Sequence, residues 1–167
     1  MVRMPPFTSH YYRDHYRPIQ WEKYTQVWPL IHSLLPPCIP SMLDLGIGYG
    51  WWESFLGEKG IVIPRIVGVD IHEDAIAPRR EGIEYFLTPR FHSNERFHFV
   101  ACWDAYHLLG NMNIWEFLQP NGLLLLSEPR PFTHLLDEIP SQYTVLVDAW
   151  VGSTEQSRVL LARKNFP

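Results

Sequence analysis

Three glycines at alternate positions, Gly46, Gly48 and Gly50, close the short apolar run Met42-Leu43-Asp44-Leu45, and no other stretch constrains this chain as strongly. A run of that length and polarity suits a strand buried on both faces of a parallel sheet. Glycine then permits positive φ, and its missing Cβ lets a ligand come up to the backbone. Trp51-Trp52-Glu53-Ser54-Phe55-Leu56 starts a helix whose N-terminal amides point back into the loop. Strand, glycine turn and helix predict the nucleotide-cradling corner of a doubly wound α/β fold.

The flanking segments carry the same architecture. Tyr24, Val27, Trp28, Ile31, Leu34 and Leu35 recur at helical spacing, which predicts an amphipathic helix over 19–35, interrupted by Pro29. A second strand is expected at 65–71. It carries Asp70, which lies 24 positions after Gly46, about the separation at which a second-strand carboxylate reaches a ribose bound at the first corner. Ile83–Leu87 reads as a third strand, but Thr88–Glu95 lacks helical periodicity, so the crossover helix is expected to be missing or reduced to a turn. Phe97–Trp103 reads as the next strand, 114–118 as a helix, Pro120-Asn121-Gly122 as a turn and Leu123–Ser127 as a buried strand. Tyr143–Val151 and Ser157–Lys164, joined by Gly152-Ser153-Thr154-Glu155, form an antiparallel hairpin. The expected fold is therefore α/β, a doubly wound and mostly parallel sheet with a C-terminal hairpin, reduced around the third strand. Residues 18–167 are expected to form one domain. Residues 1–17, rich in Tyr, His and Arg, read either as a surface arm or as a lid over a ligand.

Composition narrows the function classes. With 46% hydrophobic and 19% charged residues, the 167-residue chain has the balance of a globular protein with a sizeable core. Net charge is −4 without a block of lysine or arginine, which argues against phosphate-dominated nucleic-acid binding. No apolar run is long enough to span a membrane. The N-terminus has no signal-peptide h-region, and Cys38 and Cys102 are expected at opposite ends of the sheet, unpaired; a cytoplasmic location follows. The eight histidines are scattered, and no metal site is expected.

Four segments in order resemble the class I S-adenosylmethionine-dependent methyltransferases over about residues 20–165. They are Asp44-Leu45-Gly46-Ile47-Gly48-Tyr49-Gly50, Val67-Gly68-Val69-Asp70, Arg96 to Leu109, and Phe117 to Pro129 with its Pro-x-Gly turn. The resemblance implies S-adenosyl-L-methionine as cofactor. Gly46, Gly48 and Gly50 would approach its methionine part, Asp44 would bind its ammonium, Asp70 would accept from the ribose hydroxyls and Ile71 would pack on adenine. Cys102 and Trp103 would line the floor through their backbone. Asp44 beside the glycines also disfavours a pyrophosphate, and the glycine spacing departs from G-x-G-x-x-G, so a nicotinamide-dependent oxidoreductase is the weaker reading. The family's polar adenine contact after the third strand has no counterpart in Leu87–His92; that side of the pocket is expected either open or closed by another chain, a partner protein or a second copy.

Methyl transfer from a sulfonium is an in-line displacement, carried largely by orientation. The residues leaving the strand ends, Asp104, Tyr106 and His107 together with Glu128 and Arg130, are the candidates to face an acceptor. His107 is a candidate base near neutral pH and Arg130 a candidate anion clamp. The Asn-Pro-Pro-aromatic motif of amino-methylating nucleic-acid enzymes is absent. So is the lysine-rich tetrad of ribose 2′-hydroxyl enzymes: Asp104 and Glu128 could fill its acidic places, but neither lysine is found. Cys102 reads as a core thiol rather than a covalent nucleophile. No inserted specificity domain is visible, so a small, partly apolar acceptor is expected. The rival from another class is a catalytically silent methyltransferase-like module that binds cofactor or partner.

Overall fold

The computed structural model describes residues 12–76, 79–110 and 112–166. The arm-or-lid reading of residues 1–17 falls mostly outside them. Helix α1 (Arg17–Ile31) packs over one face of a seven-stranded sheet. It is shorter than the expected 19–35 helix: it ends two residues past Pro29, and a 3-10 turn, His32–Leu34, follows. Proline removes a backbone donor and crowds the preceding turn, so the helix is not sustained beyond it.

The strands are β1 (Ser41–Leu45), β2 (Arg65–Asp70), β3 (Ile83–Leu87), β4 (Phe97–Trp103), β5 (Leu118–Pro129), β6 (Tyr143–Val151) and β7 (Ser157–Lys164). Their order is β3-β2-β1-β4-β5-β7-β6. The β1–β2, β2–β3, β1–β4 and β4–β5 pairs are parallel, and β7 runs antiparallel to both β5 and β6. This is the expected mostly parallel sheet with its terminal hairpin, in the strand order of a doubly wound fold. Strand order reverses between β1 and β4, and a crevice at such a switch point is where open α/β sheets bind ligands.

Successive residues of the central strands point to opposite faces, and both faces are buried. Met42, Phe99, Ala101, Trp103, Leu125 and Leu161 face α1 and helix α2 (Trp51–Glu58). Leu43, Leu45, Val67, Val100, Leu126 and Leu160 face the other way, and among the described residues no α-helix covers them. That cover comes from 3-10 turns at Tyr106–Leu108, Ile114–Phe117 and Arg130–Asp137, and from the loop after β3, whose buried Phe91 rests against Phe117 at a ring separation of 5.4 Å. The expected loss of the crossover helix thus has a physical substitute, one aromatic plug.

Two local expectations change. The helix expected at 114–118 is a single 3-10 turn, and Leu118 already pairs with Phe97 in β5. Pro120-Asn121-Gly122 is an irregularity inside β5: Asn121 has φ +63° and the β4–β5 register shifts between Phe97 and Phe99. Asparagine tolerates the left-handed region, so the strand can absorb extra residues there.

Candidate functional site

The glycine corner lies at the C-terminal end of β1. Gly46, Gly48 and Gly50 have φ of +80°, +53° and +70°, conformations that L side chains rarely adopt. A Cβ on Gly46 would fall 2.7 Å from the Ala105 Cβ, so glycine here lets the β1 and β4 ends approach each other. At Gly48 an added Cβ would meet nothing within 4 Å, which leaves that part of the loop open to a ligand.

Carboxylates flank the corner on two sides. Asp70, ending β2, accepts the Gly48 N–H through Oδ2 at 2.9 Å, and the Ile71 and His72 N–H groups through Oδ1 at 2.8 and 3.0 Å. It therefore ties the glycine loop to β2. Ile71 beside it is exposed. On the other side Asp44 is buried in β1 near Glu53 of α2, also buried. Burial, then the Glu53 charge, pushes Asp44 well above the usual carboxylate range, and burial raises Glu53 as well. The protonated Asp44 carboxyl donates a hydrogen bond to Glu53, which raises Asp44 further and holds Glu53 down. Arg80 reaches across the same corner: its Nη1 donates to the Gly50 carbonyl at 2.5 Å and to Ser54 Oγ at 2.6 Å, and its charge pulls Glu53 downward. Glu53 and Arg80 were not singled out from sequence. Glu53 could have been, as the acid in the first turn after the glycines.

Asp104 begins the loop after β4 with φ +51°, unusual for a non-glycine residue. The surroundings hold it there. Its N–H donates to the carbonyl and to Oγ of Ser127, both at 3.0 Å, and its Oδ1 accepts the Ser127 hydroxyl at 2.9 Å. Its Oδ2 accepts Lys23 Nζ at 2.8 Å and Gln20 Nε2 at 3.1 Å, while Lys23 also donates to Ser157 Oγ at 2.9 Å. Burial pushes the Asp104 carboxyl up, but the Lys23 charge and the hydrogen bonds outweigh it and leave the group below its usual range. A lysine thus does stand beside Asp104, contrary to the expectation that neither was present. It is only 1% exposed and locks α1 onto the sheet rather than facing an acceptor. With both oxygens engaged, Asp104 is an ionised hub.

Glu128, near the end of β5, is fully buried. Its Oε1 accepts the His107 N–H at 3.2 Å, and its Oε2 lies 2.8 Å from His107 Nδ1. The Phe132 ring stacks on the imidazole at 4.0 Å between centroids and 2° between planes. Burial pushes Glu128 up to about 7 and pushes His107 down, so the imidazole is already neutral where Glu128 ionises. Tyr106, one residue earlier, is half-buried, and burial raises its hydroxyl.

Cys102 is fully buried and its thiol is raised well above the ordinary value by burial, so it stays protonated. The Trp103 ring belongs to the core, 4.8 Å from Tyr24 and 5.2 Å from Trp52, which leaves only its backbone toward the crevice. Arg130 is held by Gln156 and stacks over Trp150 at 4.9 Å. Cys38 and Cys102 are both free thiols. A cavity of 660 Å³ opens between the loop after β3, at Pro89–His92, and the loop after β4, at Leu108 to Met112. Among the described residues no cluster of metal-ligating side chains occurs and no helix is long and apolar enough to cross a membrane.

No protein-family model matches the sequence, and neither does any curated protein. Solved structures match the fold. A putative methyltransferase bound to the Trm112 methyltransferase activator of Haloferax volcanii superposes with a TM-score of 0.66 at 9% identity, covering 95% of this chain and 96% of that one. The 16S rRNA methylase RmtB gives 0.65 at 18% identity over 89% of this chain; the chain spans only 64% of RmtB. A SAM-dependent methyltransferase from Geobacter sulfurreducens, in complex with S-adenosyl-L-homocysteine, gives 0.61 at 19% identity, covering 90% and 75%. The fold is that of the class I methyltransferases.

Proposed function

We propose that this protein is an S-adenosylmethionine-dependent methyltransferase acting on a small-molecule acceptor. The observation that carries the reading is the charge pattern of the glycine corner: a buried carboxylate pair, Asp44 and Glu53, on one side and Asp70 on the other, with Arg80 across it. An amino-acid moiety carries one ammonium and one carboxylate, and this corner offers buried acids to the first and a guanidinium to the second. The buried Asp44–Glu53 pair suits a cation that donates hydrogen bonds. A pyrophosphate would meet two buried acids instead of free amides.

In this reading the glycine backbone and Asp44 orient the amino-acid end, with Glu53 beside them. Asp70 accepts from the ribose hydroxyls, Ile71 packs on adenine, and the Cys102–Trp103 backbone forms the floor. When bound, S-adenosylmethionine supplies an electrophilic methyl group. The protein's part is to align the acceptor in line with it and exclude water. Asp104 shapes the β4 loop, and Tyr106 and His107 on that loop face the acceptor. The net charge of −4 favours a small acceptor, although RmtB is an RNA methylase. Residues 18–167 act as one catalytic domain in the cytoplasm.

Thermal-shift measurement with S-adenosylhomocysteine and with NAD tests the reading, because a ligand specific to the native state raises its stability. S-Adenosylhomocysteine should raise Tm and NAD should not. Stabilisation by NAD alone would replace the methyltransferase with an oxidoreductase.

A further inference from the structure

We infer that Glu128 sets the tautomer of His107 so that its Nε2 accepts the proton of a hydroxyl acceptor; the inference deepens the methyltransferase reading and rests on it.

The geometry leaves Glu128 little alternative. One of its oxygens is taken by the His107 backbone N–H, which fixes the carboxylate's orientation and aims the other oxygen at Nδ1, 2.8 Å away. Above its pKa of about 7 Glu128 is a carboxylate, which can only accept, so there Nδ1 carries the hydrogen of this bond and the lone pair of the neutral ring lies on Nε2. Phe132, parallel to the ring at 4.0 Å, prevents it from turning. Nε2 has no hydrogen-bond partner among the described residues, and the side chain retains 13% exposure while Glu128 has none. The result is an imidazole oriented by a buried acid, with its basic nitrogen directed away from that acid. Of the other charged groups nearby, Asp104 favours the protonated ring, and it is already tied to Lys23.

A base so oriented has a use with one class of acceptor. A neutral amine attacks with its own lone pair and sheds a proton afterwards. A hydroxyl of phenol-like acidity is a poor nucleophile until its proton leaves. In the reaction the acceptor oxygen bonds to the methyl carbon, the carbon–sulfur bond breaks with its electron pair remaining on sulfur, and the hydroxyl proton moves to Nε2. The resulting imidazolium keeps its Nδ1–H on Glu128, whose negative charge stabilises it. His107 is then the catalytic base and Glu128 a positioning residue.

Glu128→Gln tests this without need of an acceptor. The glutamine keeps the size of the side chain, and its carbonyl still accepts the His107 N–H, but its amide now donates to Nδ1. The hydrogen must then move to Nε2. Long-range proton–nitrogen correlation spectra of the nitrogen-15-labelled full chain should show the Nδ1–H tautomer for wild-type His107 and the Nε2–H tautomer for the variant. Acylation by diethyl pyrocarbonate, followed at His107 by peptide mass mapping, should slow at least about tenfold in the variant, since the unprotonated Nε2 is the reactive atom. Unchanged Tm would show that the variant folds. A wild-type Nε2–H tautomer, or equal acylation rates, would overturn the inference even if S-adenosylhomocysteine binds. With aryl acceptors supplied as matched phenols and anilines, methylation should be confined to the phenols. Methylation of anilines only, or no phenol methylated by a chain that binds the cofactor, would overturn the hydroxyl assignment.

Discussion

Replacing Lys23 with methionine would test how the crevice is held together. Lys23 is 1% exposed and its ammonium has two partners, Asp104 Oδ2 at 2.8 Å and Ser157 Oγ at 2.9 Å. Removing one member of a buried ion pair costs about 3–5 kcal/mol, because the other charge is left uncompensated. Asp104 would keep the Ser127 hydroxyl, the Gln20 amide and its own N–H bonds, which points to the low end, about 3 kcal/mol. For a chain of this size that is a fall in Tm of about 6–12 °C. The pair also has a pH signature. The Asp104 pKa is lowered in the folded state from its ordinary 3.8, so its stabilisation is present above the unfolded value and is lost as pH falls through the folded one. Lys23→Met should therefore weaken this acid-side dependence. Removing both charges with Lys23→Met plus Asp104→Asn should recover much of the loss. Calorimetric melts of the four proteins across acid to neutral pH provide the assay. A Lys23→Met loss below about 2 °C, or losses that simply add in the double variant, would refute the ion-pair account.

Asp70→Ala should weaken S-adenosylhomocysteine binding by about 1–3 kcal/mol, roughly 5- to 150-fold in Kd by titration calorimetry; unchanged affinity would remove Asp70 from the site. Gly46→Ala combines a φ of +80° with a Cβ 2.7 Å from Ala105, and should lower urea-unfolding stability by about 1–3 kcal/mol; wild-type stability would show that the β1 and β4 ends can separate freely. Glu53 has a raised folded-state pKa, so its contribution is full at acid pH and declines as pH rises through that value. Glu53→Gln should flatten this decline in Tm-against-pH melts while weakening S-adenosylhomocysteine binding, and a steeper decline would reverse the assignment of the pair.

The parts of the fold that could be read in the sequence are those set by local pattern. The apolar run into Gly46, Gly48 and Gly50 marks β1 and its corner, because few other residues tolerate three positive φ angles so close together. The alternation in 143–151 and 157–164 marks the hairpin for a similar reason. Polar partners far apart in the chain were not legible. Lys23 meets Asp104 across 81 positions, and on a helix a lysine normally reads as solvated. Glu128 meets His107 across 21 positions, and only the parallel pairing of β4 with β5 makes them neighbours. The 3-10 turns beneath the sheet escaped too, since segments of three to eight residues carry too little periodicity to separate a turn from a helix.

Helix α1 has a consequence for the order in which the molecule is completed. Besides the Lys23 bonds to Asp104 and Ser157, its Gln26 accepts the Gly152 N–H and its Glu22 accepts the Ser153 hydroxyl, each at 2.7 Å. An early segment of the chain is thus fastened to the hairpin turn more than a hundred residues later. During synthesis α1 emerges long before its anchors exist, and Lys23 must wait in water for them. The crevice between β1 and β4 can therefore reach its final geometry only after the hairpin has left the ribosome. Loop closure over such a separation makes this a late step. A nascent chain halted ahead of residue 143 would carry the glycine corner but not the clamp that holds α1 beside it.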